Sequence, residues 1–97
     1  MDIELVNQIF SKIAYFHFLA GGNDENQTLR MPLKKGQTIS EQEKGLLQQY
    51  FLSLLANPES SASIGIVGSD TITVRVSGFT KSELENIENI LKENIKK

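Results

Sequence analysis

Residues 63–77, Ser63-Ile64-Gly65-Ile66-Val67-Gly68-Ser69-Asp70-Thr71-Ile72-Thr73-Val74-Arg75-Val76-Ser77, hold two short runs in which apolar and polar side chains alternate. Alternation with period two puts Ile64 and Ile66 on one side of a strand and Ile72, Val74 and Val76 on one side of another. Between the runs, Gly68-Ser69-Asp70 tolerates chain reversal, so 63–77 reads as a β-hairpin. Thr71, Thr73 and Arg75 then point away from the apolar face.

On either side of the hairpin the period changes from two to that of a helix. Downstream, Thr80-Lys81-Ser82-Glu83 is a capping box, in which the Thr80 hydroxyl accepts from the Glu83 N–H and the Glu83 carboxylate reaches back. Leu84, Ile87, Ile90, Leu91 and Ile95 follow on one stripe, and Lys96 and Lys97 sit at the negative end of the helix dipole. Upstream, Ser40-Glu41-Gln42-Glu43 is a second capping box. It opens a helix with Leu46, Leu47, Tyr50, Phe51, Leu54 and Leu55 on its apolar side. Asn57-Pro58 ends that helix, because the residue before proline is pushed out of the α region.

Further upstream, Thr28 to Leu33 alternates again, with Leu29, Met31 and Leu33 on one side. Pro32 has no N–H to give a ladder, which makes 28–33 an edge strand. Asn23 to Gln27 is a polar loop. The first helix is expected from Asp2 to Ala20, with Ile3, Leu5, Val6, Ile9, Phe10, Ile13, Ala14, Phe16 and Ala20 on one broad arc, ended by Gly21-Gly22. The expected fold is α+β: three helices packed on a small antiparallel sheet, in the order α-(β)-α-β-β-α, within one domain over residues 1–97.

The 97 residues carry a formal net charge of −2, divided evenly between the two halves. Binding to nucleic acid draws its affinity from neutralised phosphates, so this balance argues against a nucleic-acid binder. Arg30 and Arg75 are the only arginines, and Arg30, Lys34 and Lys35 make the one basic cluster without an interspersed acid. With Arg75, these are the residues that would carry an anion or nucleic-acid contact. The chain has no cysteine, which excludes disulfides, thiolate nucleophiles and zinc–thiolate sites. The start Met1-Asp2-Ile3-Glu4 lacks the basic region of a secretory signal, and the apolar run from Ile13 to Ala20 is far short of the roughly 20 residues that span a bilayer. A cytoplasmic protein without a membrane span is the expectation.

No arrangement for catalysis stands out, and neither a metal nor a cofactor is expected. The lone histidine, His17, has no carboxylate at helical spacing to share a metal. Asp24 and Glu25 lack the ligand alternation of a calcium loop. Gly65-Ile66-Val67-Gly68 is not followed by the Lys-Ser/Thr and helix of a phosphate loop. On the expected first helix, Tyr15, Phe18 and Leu19 fall on the otherwise polar side, so its last turns are apolar all round. A helix of that kind is buried on more than one side. Together with His17, these residues are the expected contact with a second copy or another protein, which makes the chain a small non-enzymatic interaction or regulatory module.

Overall fold

The computed structural model describes residues 2–23 and 25–95. Its elements are helix α1 (Ile3–Ser11), strands β1 (His17–Phe18) and β2 (Asn26–Pro32), helix α2 (Glu41–Ser53), strands β3 (Ser61–Val67) and β4 (Thr71–Ser77), and helix α3 (Lys81–Asn94). The strands form one antiparallel sheet in the order β1-β2-β4-β3. The α+β class and the three helices stand as expected, but two strands rather than one separate the first two helices. The hairpin starts at Ser61 instead of 63, and its central register pairs Ile64 with Val74.

The first helix is shorter than the wheel implied. It ends at Ser11, with Lys12 as its C-cap, and the chain from Ile13 to Leu19 runs along β2 as an extended segment. Ile13 bridges Leu33, while His17 pairs with Arg30 and Phe18 with Leu29. Three residues lie between Ile13 and His17 but only two between Leu33 and Arg30, so this side of the ladder holds one extra residue, as in a β-bulge. The bulge has a clear consequence. In an unbroken strand Ile13 and Phe18 would face opposite ways; with the extra residue, Ile13, Phe16 and Phe18 all turn toward the core. Tyr15, His17 and Leu19 turn outward and are exposed. A run rich in aromatic residues fits a half-buried pleated surface, where each face meets a different environment. A helix could not bury its whole circumference here. Gly21, at φ 91, therefore serves the turn between β1 and β2 and does not stop a helix.

The strand expected at the edge is internal. β2 lies between β1 and β4. The Leu19 and Ala14 N–H groups donate to the Thr28 and Pro32 carbonyls, so the even-numbered residues of β2 turn their peptide groups toward β1. Proline's missing N–H thus faces the interrupted part of the ladder, where it breaks no regular pairing.

All the fully buried side chains of β2 and β4 except Thr71 lie on one side of the sheet: Leu29 and Met31 on β2, Ile72, Val74 and Val76 on β4. Ala62 of β3 joins them. The helices cover that side. α1 contributes Val6, Ile9 and Phe10, α2 contributes Leu47 and Phe51, and α3 contributes Ile87 and Leu91. α2 lies against β3, and α1 against α2 and α3. Phe10 and Tyr50 meet edge to face at 5.8 Å. Ile3 and Leu5, placed on the apolar arc by the wheel, are 54% and 46% exposed, because the nine-residue helix turns only Val6, Ile9 and Phe10 inward. α2 ends at Ser53, four residues before Asn57. Lys96 and Lys97 lie outside the described residues. Among the described residues no helix is long and apolar enough to cross a membrane.

Both capping boxes form, and each glutamate does more than cap. Glu43 accepts from the Ser40 N–H with one oxygen and binds Lys12 Nζ at 2.8 Å with the other, which fastens the end of α1 to the start of α2. Glu83 accepts from the Thr80 N–H and, at 2.5 Å, from the Ala56 N–H, which fastens the chain after α2 to the start of α3.

Candidate interaction surface

With the helices on one side of the sheet, the other side is uncovered. Register sets which residues meet there. His17, Arg30, Thr73 and Gly65 form one row across the four strands, and Thr28, Arg75 and Ser63 form the next. Tyr15 and Leu19, 43% and 38% exposed, share the outward direction of His17. The Tyr15 and His17 rings lie nearly parallel, with centroids 6.2 Å apart and planes inclined by 19°, within the range of offset aromatic pairs. Val67, 54% exposed, closes the far side of β3.

Arg30 and Arg75 belong to neighbouring strands and to adjacent rows, which makes them diagonal neighbours at about 7–8 Å between Cα atoms by sheet geometry. No strand position on this face holds a carboxylate, although the chain carries 12 acidic residues. Neither arginine is in an ion pair among the described residues. Two shallow depressions meet at Thr28 and Arg75. One, of about 400 Å³, runs to Leu19 and the Gly21–Asn23 turn. The other, of about 280 Å³, lies over Gly65, where glycine leaves the surface low between Ser63 and Thr73.

The structure therefore splits the expected contact set. Tyr15, His17 and Leu19 share the open face, whereas Phe18 sits opposite Leu29 and packs on the core. His17 is exposed. Of the basic residues, Arg30 and Arg75 come together, while Lys34 and Lys35 lie past the end of β2 in the segment leading to Gly36, where the Lys34 N–H donates to the Lys12 carbonyl. The depressions bring in Thr28 and Ser63, which sequence reading did not single out, beside Thr73, whose outward direction it did give. Their only signal was the outward parity of the two strands beside β4's own outward residues. Among the described residues no group of three or more His, Cys, Asp or Glu side chains converges to hold a metal.

The two carboxylates with long-range partners are held below the ordinary range. For Glu43 the chief cause is its bond to Lys12, helped by the Ser40 N–H and opposed by burial. For Glu83 it is the Ala56 N–H, followed by the Thr80 N–H. Both tie helices together on the far side of the sheet from the open face, so their chemistry is structural. Compared with protein-family models, curated proteins and solved structures, the chain finds no match.

Proposed function

We propose that this chain is a small non-enzymatic interaction module that works by contact and associates with a second copy of itself. One observation carries the reading: the sheet is left unfinished, open at the β3 edge and bare on one side, where Tyr15, Leu19 and Val67 are each more than a third exposed. Large exposed apolar patches are uncommon on monomers, and a second copy would add cover to this sheet. Sedimentation of the wild type from low to high micromolar concentration tests it. A concentration-dependent rise to twice the monomer mass is expected, and a monomer throughout removes self-association.

A second reading has its own support. The open face holds both arginines and no carboxylate at its strand positions, beside two nearly parallel rings. A single-stranded nucleic acid would set phosphates against Arg30 and Arg75 and a base against Tyr15 or His17, since stacking and charge together are how sheet faces hold unpaired strands. Titration with single-stranded DNA and RNA at low salt tests this. Binding that falls with salt and with Arg30→Ala or Arg75→Ala supports it, and a flat titration disposes of it.

A further inference from the structure

The two edges of the sheet are finished differently. β1 is two residues long and its ladder is interrupted by the extra residue before His17; short length and bulging are both ways in which proteins blunt an edge. β3 has neither protection. It is seven residues long, pairs without slip from Ser61 opposite Ser77 to Val67 opposite Thr71, and contains no proline. From Ser60 to Ser69 the chain carries no charged side chain.

The direction of the free backbone groups follows from the neighbouring strand. The Leu33 N–H donates to the Asp70 carbonyl, so even-numbered residues of β4 turn their peptide groups toward β2. Thr71, Thr73, Arg75 and Ser77 then turn theirs toward β3, onto Val67, Gly65, Ser63 and Ser61. Ala62, Ile64 and Ile66 are left with N–H and C=O aimed away from the sheet. No loop or side chain among the described residues takes them up. The side chains of the same three residues face the core, where Ala62 is buried and Ile64 and Ile66 are only partly covered.

We propose that β3 of a second copy pairs antiparallel with this edge, with the two-fold axis at Ile64, giving one continuous sheet across the dimer. The inference rests on the self-association proposed above and places its seam at the sheet edge, which leaves Tyr15 and Leu19 on the open face uncovered in the dimer. In this register Ile64 meets Ile64, Ala62 meets Ile66, and Ser63 meets Gly65. All three outward-facing residues of each copy then find partners, and each such pair exchanges two backbone bonds. On the core side Ile64 packs on its own copy at the axis and Ile66 faces the small Ala62 on either side, so the partly covered isoleucines fill the seam. On the open side serine and glycine keep bulk out of it. A strand that pairs with itself sets any charge at the axis against its own copy, and like charges opposite each other destabilise; β3 carries no charge at all. The symmetric arrangement also closes, so it stops at two copies.

Because the chain is cysteine-free, single cysteines report the seam. Hydrogen-bonded antiparallel pairs have Cα atoms about 5.5 Å apart, inside the range of about 4.4–6.8 Å that a disulfide bridges. Oxidised Ile64→Cys is expected to run as a covalent dimer, whereas Leu19→Cys and Leu52→Cys stay monomeric on the same gel. Ile64→Lys sets two ammonium groups on the axis and is expected to sediment as a folded monomer with the wild-type circular dichroism, while Ile64→Val remains dimeric. A dimeric wild type whose Ile64→Cys form does not cross-link overturns the seam and leaves self-association intact, as does a folded Ile64→Lys that stays dimeric. A wild type that is monomeric at high micromolar concentration overturns both. Should Ile64→Lys not fold, the cysteine comparison decides alone.

Discussion

Alanine substitution at each of residues 15 to 19 is expected to cost stability with a period of two. Phe16 and Phe18 pack on the core from β1 and the bulge before it. Removing a fully buried phenylalanine side chain costs about 3–5 kcal/mol, and these two are partly exposed, so about 2–3 kcal/mol each is the expected loss. Tyr15 and Leu19 are 43% and 38% exposed on the open face, and His17 is exposed beside them; each of these should cost less than about 1 kcal/mol, near the range of ordinary surface changes. Urea unfolding followed by far-ultraviolet circular dichroism reads the difference. With a slope of about 1–2 kcal/mol per molar urea for a domain of this size, the two phenylalanine variants should lose at least about 1 M in midpoint and the other three much less. All variants must be compared at one low protein concentration, because dimerisation would add to apparent stability. Equal losses for Tyr15→Ala, Phe18→Ala and Leu19→Ala would refute the strand and its bulge, since those three share a side only on a helix.

Two positions test the backbone. Ser69 sits at φ 64 in the β3–β4 turn, a region that costs a residue with a Cβ about 1–2 kcal/mol, so Ser69→Gly should raise the thermal midpoint. Gly78 lies at φ 70, and a Cβ there would come within 2.9 Å of the Ser60 Cα, so Gly78→Ala should destabilise by more than the left-handed penalty of about 1–2 kcal/mol alone. The acid limb of the stability curve tests the helix ties. Glu43 and Glu83 have folded-state pKa values below the ordinary 4.5. Their contribution is therefore fully present above that value and is lost as pH falls through the lowered ones. Urea midpoints measured from neutral pH down to about 3 should fall less steeply for Glu43→Gln and Glu83→Gln than for the wild type, and an unchanged slope would show that the ties are not made.

Where one period fits the residues and competing signals are absent, the fold was legible. Ile72, Val74 and Val76 alternate without exception, and Gly68-Ser69-Asp70 marks the reversal, so the hairpin needed no tertiary information. Ser40 with Glu43, and Thr80 with Glu83, fix two helix starts by a local reciprocal bond. The segment from Ile13 to Leu19 was not legible, because a continuous apolar run satisfies both a helical and a strand period. What decides it is Leu33 and Arg30, far along the chain, and an extra residue that shifts parity partway. The open face inherits that error in part: with the strand read as helix, Tyr15 and Phe18 looked like neighbours; the meeting of Arg30 with Arg75 rests instead on the pairing of β2 with β4, which neither strand's own pattern specifies. The long-range halves of Glu43 and Glu83 were hidden for the same reason, since a capping box accounts for the residue before its second oxygen is considered.

The edge and the open face are parts of one surface. Gly65 and Ser63 line the depression beside Arg75, and in the pairing proposed for β3 the same two residues face each other across the axis. A symmetric seam would therefore bring the two copies' depressions side by side, with Arg75 one strand in from the axis in each copy. Positive charge that is sparse on one copy, two arginines on a chain of net charge −2, would be doubled over a continuous sheet. A single contact of this size favours no ligand strongly, but two linked ones act at a high effective concentration of each other. Self-association, if it occurs as proposed, would give a physical reason for a chain of net negative charge to keep its only arginines on one sheet face. It would also order the two readings, because the proposed seam would assemble the surface offered to an anion.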